Sequence, residues 1–205
     1  MAKRILILAI AVVACIARLS AQVTCSPVFP SADDNVTLTF NANEGTGGLA
    51  NLPSNVNVYA HIGVVLAGAG STTWSNVVGT WGTDEPRTKM TNIGGGLYTL
   101  SFNIRTFFGI AAGTPIYRIA CVFRNVDGTK EGKGPGATDM FYDIIQPGAA
   151  LQTRLVSPSV SGCKLVQVGE TINFRGAASQ NSTLTLTDNG KIGRASCRER
   201  VCLAV

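Results

Sequence analysis

Apolar and polar residues alternate with a period of two in short runs along most of the chain, and turn-forming residues separate these runs. The run at residues 36–40 alternates without a break and is rich in β-branched residues, which favour strands. Residues 56–61 and 97–102 alternate in the same way, with a triple-glycine turn at residues 94–96. Helical periodicity is almost absent, apart from one predicted helical turn within residues 104–113. The pattern therefore predicts an all-β protein of short strands.

The longest unit of this pattern is a predicted hairpin at residues 116–144. Its first strand alternates, so one face carries Tyr117, Ile119, Cys121 and Phe123. A polar loop with four glycines follows at residues 125–139, and a second strand is predicted at residues 140–145. We expect the strands that precede this hairpin to pack around it.

These strands predict an immunoglobulin-like or carbohydrate-binding-module-like β-sandwich over residues 23–146. Pro147 and Gly148 then predict a linker or a corner. Beyond them, further strands are predicted at residues 151–158, 165–168, 171–174 and 184–187. Residues 147–190 are therefore expected to be the start of a second β-sandwich that is truncated.

Residues 1–22 have the three parts of a secretory signal peptide. Two basic residues come first, an apolar stretch follows at residues 5–17, and small residues precede a predicted cut before Val23. The apolar stretch is too short for a good membrane span, so we expect a secreted or cell-surface protein without one. A lipoprotein signal with a lipid attached at Cys15 is the alternative.

Residues 192–201 (IGRASCRERV) resemble the translation of a common sequencing adapter in one reading frame. The resemblance runs without a gap, and the segment fits no element expected after the preceding strand. We therefore expect residues 191–205 to be non-native and the natural sequence to be a longer one. The alternative is a native basic tail.

The positive charge of the chain lies at its two ends. The whole sequence has 17 Lys and Arg against 12 Asp and Glu, a net charge of +5. Residues 23–190 contain 10 basic and 11 acidic residues, a net charge of −1. This balance gives no reason to expect a nucleic acid or an acidic membrane surface as the partner.

The cysteines do not predict a disulfide framework. Three of the six fall in the predicted signal peptide and tail, which leaves Cys25, Cys121 and Cys163. Their number is odd and their spacings are wide, so neither a set of bridges nor a zinc site is indicated. Cys121 is predicted to be a small buried apolar residue, and a bridge between Cys25 and Cys163 stays open.

No motif of a catalytic, cofactor or phosphate site is present. His61 is the only histidine, which argues against a metal site or a Ser-His-Asp triad. Asp127, Asp139 and Asp143 could supply oxygen ligands for calcium, or they are solvated turn residues. The chain is therefore predicted to be non-enzymatic and to bind no cofactor.

Four residues form the candidate ligand-binding set: Tyr59, His61, Trp74 and Trp81. They fall on a predicted strand and on loops, outside the regular apolar pattern. Tyr and Trp rings stack on the C–H faces of sugars, and imidazole bonds hydroxyl groups. The alternative is that either tryptophan belongs to the core, since tryptophan is highly buried on average.

Several short blocks occur in an order that resembles a known family. They are VYAHIG at residues 58–63, the two tryptophans, TKMT and LYTLSF within residues 88–102, FRNVDGTKEGK at residues 123–133 and DMFYDI at residues 139–144. Their order resembles the N-terminal β-sandwich module of secreted bacterial α-amylase-like enzymes. More distantly, it is similar to starch-binding modules. The resemblance covers about residues 28–145, and it implies that Tyr59, His61, Trp74 and Trp81 hold an α-glucan.

The resemblance predicts a non-catalytic module that binds a starch-like polysaccharide at the N-terminus of a secreted glycoside hydrolase. One departure keeps a second hypothesis open. Starch-binding modules often have an aromatic residue in the loop after Asp127, whereas this chain has polar and charged residues at 130–133. The alternative is a ligand-free, immunoglobulin-like spacer domain, which predicts that both tryptophans are buried.

Overall fold

The structure is a computed structural model that describes residues 22–157, 173–188, 191–197 and 202–204. The predicted signal peptide up to residue 21, Cys15 and Cys163 lie outside the described residues. The predicted strand at 165–168 lies outside them as well. Within the described part, the regular secondary structure is almost entirely β-strand, which confirms the predicted all-β class.

Residues 22–146 contain nine strands and one short α-helix. In chain order the strands are β1 (Val23–Ser26), β2 (Asn35–Asn41), β3 (Val58–Val65), β4 (Ser75–Val78), β5 (Thr91–Gly94), β6 (Leu97–Asn103), β7 (Arg118–Asn125), β8 (Glu131–Gly132) and β9 (Met140–Asp143). Helix α1 spans Ile104–Phe108, and 3-10 turns span Pro86–Thr88 and Pro135–Ala137. The predicted single helical turn is thus confirmed.

The nine strands form two antiparallel sheets. The first sheet has the order β1-β2-β6-β5, and the second has the order β4-β3-β7-β8 with β9 also paired to β7. One continuous core of buried side chains includes residues from both sheets, so the sheets pack face to face as a sandwich. Phe40 of β2 stacks on Phe123 of β7 across this core, with 3.9 Å between ring centroids.

The alternation in the sequence explains which residues enter the core. In β2, Val36, Leu38 and Phe40 are buried, and the residues between them are partly exposed. Burying each such side chain stabilises the fold by about 1.5–3 kcal/mol. The pleat places every second residue on the same face of a strand, so one run of alternation fixes one face of the sandwich.

The predicted hairpin of residues 116–144 is present with a slightly shorter first strand. Strand β7 pairs with β9, with Arg118 opposite Asp143 and Cys121 opposite Met140. The glycine-rich loop between them contains β8, which places Gly132 opposite Phe123. The loop therefore extends the second sheet.

Strands β1 and β4 were not predicted from the sequence. Each has only four residues, and each is an edge strand whose pairing depends on a longer neighbour. Between β4 and β5, Lys89 forms a single bridge to Tyr59, and β5 begins two residues later at Thr91. Such short segments carry too little alternation to be recognised without their partners.

The C-terminal part forms two small antiparallel sheets. Its strands are β10 (Thr153–Ser157), β11 (Phe174–Ala178), β12 (Ser182–Asp188), β13 (Lys191–Cys197) and β14 (Cys202–Ala204). One sheet has the order β10-β11-β14, and β12 pairs with β13. The predicted strands at 151–158 and 184–187 correspond to β10 and β12. Of the predicted strand at 171–174, residues 171 and 172 lie outside the described residues, and β11 begins at Phe174. The non-native origin of residues 191–205 and the truncated second sandwich stay predictions.

In the part of the chain that the structure describes, no helix has the length and apolar character needed to cross a membrane.

Candidate ligand-binding surface

The outer face of the second sheet carries the candidate residues. Val58, Ala60 and Ile62 of β3 point into the core, so Tyr59 and His61 lie on the opposite face, as the alternation predicts. We call the four residues Tyr59, His61, Trp74 and Trp81 together the aromatic surface.

His61 lies between the two tryptophan rings. Its ring centroid is 5.9 Å from that of Trp74 in a tilted arrangement and 5.4 Å from that of Trp81 in a T-shaped one. Trp74 immediately precedes β4, and Trp81 lies in the turn after it. Trp81 is 41% exposed, whereas His61 and Trp74 are half-buried. The structure thus brings three of the four candidates together at the surface.

Two glycines allow the tryptophan loops to approach the sheet. A Cβ atom at Gly63 of β3 would lie 3.3 Å from Cε3 of Trp74 and 2.9 Å from the carbonyl oxygen of Ser75. Gly128, which has a positive φ of 71°, lies against the indole nitrogen of Trp81, where a Cβ would overlap it. The positions of both indoles therefore depend on residues without side chains.

Arg124 of β7 anchors the loop of Trp81 from beneath. The side chain is 0% exposed, and its Nη2 donates to the carbonyl oxygens of Thr80 at 2.9 Å and Thr83 at 2.8 Å. Its Nη1 donates to the carbonyls of Asn125 and Val126 at 3.0 and 2.9 Å. The guanidinium also lies over the Trp81 ring, 5.8 Å from the centroid. The charge is stabilised by carbonyl dipoles and aromatic faces.

Tyr59 supports the aromatic surface without being accessible on it. Its side chain is 0% exposed, and its hydroxyl donates to Oδ1 of Asp84 at 2.7 Å. Its ring lies under the guanidinium of Arg124, 5.1 Å from the centroid. Burial and the carboxylate of Asp84 both raise the pKa of Tyr59, so the phenol stays protonated. The structure therefore places this candidate in a supporting layer, out of reach of a ligand.

The imidazole of His61 is held in its neutral form. Burial and, to a smaller extent, the positive charge of Arg124 lower its pKa, while Asp139 and the backbone of Gly79 act in the opposite direction. Nδ1 of His61 and Nε1 of Trp74 are buried and have no hydrogen-bond partner among the described residues. A neutral imidazole can both donate and accept a hydrogen bond.

The three aspartates considered as calcium ligands, Asp127, Asp139 and Asp143, do not form a metal-binding cluster in the described part of the chain. Within the described ranges, no three His, Cys, Asp or Glu side chains come close enough to hold a metal ion. The carboxylate of Asp127 instead accepts bonds from the backbone nitrogen and the hydroxyl of Thr129, at 3.1 and 2.7 Å. These bonds lower the pKa of Asp127. Asp127 thus has the local bonding of a turn residue.

Sequence reasoning missed Arg124 and Asp84 as parts of this surface. The register of β3 and β7 places Arg124 directly opposite Tyr59. Arg124 lies on the outer face of β7, and it is buried there by the loop at residues 80–84, which no pattern in the chain predicts. The sequence feature that could have identified Arg124 is its position in a strand of mostly apolar and small residues.

The fold and this surface define an antiparallel β-sandwich module with a cation–aromatic cluster on one outer face. The chain belongs to the family described as "Domain of unknown function (DUF8578)", whose model matches residues 23–131. The matched region runs from β1 into β8 and includes all four candidate residues. No curated protein matches the chain.

Proposed function

We propose that residues 22–146 form a non-catalytic glycan-binding module that takes a starch-like α-glucan on the aromatic surface. The observation that carries this proposal is the exposure of Trp81, which is 41% accessible on the outer face and not packed into the core. A tryptophan face at the surface provides a large apolar contact for a sugar ring at a small cost in conformational entropy.

The neighbours of Trp81 suit a neutral, hydroxyl-bearing ligand. The adjacent imidazole of His61 is neutral, and the buried guanidinium of Arg124 directs both of its terminal nitrogens to backbone carbonyls. Stacking of the sugar ring on the exposed indole of Trp81 would then supply the main contact. Tyr59, Arg124 and Asp84 keep the loop of Trp81 in one conformation, which lowers the entropic cost of binding.

Retention of the full chain on insoluble starch tests the proposal. Wild type should bind starch granules, and Trp81→Ala should remain in the supernatant. Trp81→Leu keeps apolar volume beside Arg124 but lacks an aromatic face, so it should also lose binding while remaining folded. Ile93→Ala is the matched control, because Ile93 is 55% exposed on β5 of the other sheet. Equal retention of wild type and both Trp81 variants would reject the aromatic surface as a glycan site.

The ligand-free spacer is the competing function. It predicts two buried tryptophans, whereas Trp81 is 41% exposed and Trp74 is half-buried. What favours it is the inward bonding of Tyr59 and Arg124, which assigns a structural role to part of the cluster. Collisional quenching by acrylamide separates the two hypotheses. If the domain is a spacer whose two indoles are packed in solution, the tryptophan fluorescence should be protected from acrylamide. If the domain has a binding surface, acrylamide should quench the fluorescence of Trp81.

Attachment to a secreted glycoside hydrolase is part of the same proposal, and the motif order in residues 58–144 supports it. A long sequencing read through the codons after residue 190 tests it. A continuous frame into a catalytic domain with paired carboxylates would support a hydrolase. Further sandwich repeats and a sorting tail would instead support the spacer.

A further inference from the structure

A groove opens on the first sheet, whereas the aromatic surface lies on the second. It runs between the loop at residues 43–54 and the tight turn at residues 94–96, which joins β5 to β6, and it encloses about 770 Å³. This volume is in the range of sites for small ligands, which is about 300–1,000 Å³. We call it the amide groove because three asparagines line it: Asn43, Asn51 and Asn92.

The lining of the amide groove is neutral. Besides the three asparagines and the backbone of the glycine turn, it contains Ser54, Leu52 and Tyr98, and no Asp, Glu, Lys, Arg or His. Burial raises the pKa of Tyr98, so its phenol carries no charge at neutral pH. A site of this composition selects neither anions nor cations. It offers hydrogen bonds around a small apolar floor.

Two of the asparagines are oriented by bonds to the glycine turn. Nδ2 of Asn43 donates to the carbonyl oxygen of Gly95 at 2.8 Å, and Oδ1 of Asn92 accepts from the backbone nitrogen of Gly94 at 2.9 Å. Among the residues that the structure describes, Oδ1 of Asn43 then remains available as an acceptor and Nδ2 of Asn92 as a donor. The amide of Asn51 and the hydroxyl of Ser54 form no hydrogen bond within the described residues.

The lining of the groove includes four left-handed backbone positions, at Asn51, Gly94, Gly95 and Gly96. Gly96 has a φ of 78°, and a Cβ there would lie 2.5 Å from Nδ2 of Asn43. Asn51 has a φ of 55°, a conformation that asparagine adopts more readily than most residues. The bonds of Asn43 and Asn92 to the glycine turn thus orient these two amides before any ligand arrives, which favours binding.

We propose that the amide groove is a second binding site, for a neutral saccharide whose vicinal hydroxyls bond the free groups of Asn43, Asn51 and Asn92. Each sugar hydroxyl both donates and accepts, which matches a set that contains free donors and a free acceptor. The C–H face of the sugar would rest on Leu52 and the edge of Tyr98. The site stands independently of the aromatic surface, because the two share no residue and lie on different sheets.

Titration of the ¹⁵N-labelled full chain tests the amide groove, with maltoheptaose, cellohexaose and xylohexaose as probes. At least one sugar should shift the side-chain amide signals of Asn51 and Asn92. Asn51→Gly removes the amide without straining the left-handed backbone. Asn92→Asp keeps the acceptor for Gly94 and removes the donor. Each variant should weaken binding at the groove by about tenfold, as the loss of one or two hydrogen bonds implies.

Asn55→Gly is the matched control, since Asn55 is exposed in the same region of the chain and does not line the groove. It should bind as wild type does. Trp81→Ala should leave the shifts of Asn51 and Asn92 unchanged, even if it abolishes retention on starch. The proposal is overturned if none of the three sugars shifts these amides at about 10 mM, a concentration suited to weak sites. It is also overturned if both groove variants keep the wild-type affinity.

Discussion

Arg124 is expected to be the side chain on which the aromatic surface depends most. Replacing it with methionine keeps the length of the side chain and removes the guanidinium. Four backbone carbonyls then lose their donor, and the faces of Tyr59 and Trp81 lose their cation. Because Thr80 and Thr83 are exposed, water can replace part of the lost bonding at their carbonyls.

The magnitude follows from these contacts. The loss of a desolvated cation–π interaction costs about 1–2 kcal/mol, and the loss of the charge-assisted bonds costs about 1.5–3 kcal/mol as a set after rehydration. Arg124→Met should therefore lower the free energy of unfolding by about 2.5–5 kcal/mol, a large share of the typical 5–15 kcal/mol. Lysine should not rescue it, because its three donors cannot satisfy four carbonyls.

Urea unfolding followed by tryptophan fluorescence measures this effect, since both tryptophans of the chain lie in the first sandwich. Arg118→Met is the control. Arg118 lies on the same strand and face, but it pairs with Asp143, whose side chain is 76% exposed, at 2.8 Å. An ion pair at the surface contributes about 0–1 kcal/mol. If Arg124→Met and Arg118→Met both cost less than about 1 kcal/mol, the structural role assigned to Arg124 is wrong.

Further predictions follow from burial and packing. Burial raises the pKa of both Cys25 and Cys121 to about 12. Iodoacetamide at pH 8 should therefore label neither thiol until urea unfolds the chain, and mass spectrometry that finds either one modified beforehand contradicts the burial. Because the pKa of His61 is lowered in the folded chain, the imidazole binds a proton more readily in the unfolded chain than in the folded one. Stability should therefore fall as the pH drops below about 6.5, and His61→Gln should flatten urea midpoints between pH 7 and 5.5. Gly132→Ala should cost about 1–3 kcal/mol, because a Cβ there would lie 2.6 Å from a core phenylalanine ring. An unchanged urea midpoint would show that the ring moves freely.

Sequence reasoning was most successful where alternation is long. Strands β2, β3, β6 and β7 each have seven or eight residues, and their predicted faces agree with the observed core. In β2, a register shift of one residue would turn Val36, Leu38 and Phe40 outward, so its pattern allows only one solution. The edge strands β1 and β4 escaped prediction because four residues carry almost no period.

The candidate site could be predicted only in part, for a different reason. Placing Tyr59 and His61 on one face requires only the alternation of a strand, and this placement is confirmed. The burial of Tyr59 depends on Arg124 and on the loop that carries Asp84, which meet it only in the folded chain. The exposure of Trp81 likewise follows from contacts between two loops, and local sequence does not encode such contacts.

The contacts of one side chain, that of Gln22, locate the first residue of the sandwich more closely than the sequence pattern does. The predicted signal peptide includes Gln22, yet this residue is only 8% exposed. Its Nε2 donates to the carbonyl oxygens of Glu44 at 3.2 Å and Lys133 at 3.0 Å, and its own carbonyl accepts from the backbone of Asn41. Gln22 therefore ties β1 to two distant loops, and a chain that began at Val23 would lose all three bonds. Each such bond contributes about 0.5–1.5 kcal/mol, so the sandwich is more stable when it begins at Gln22 than one residue later.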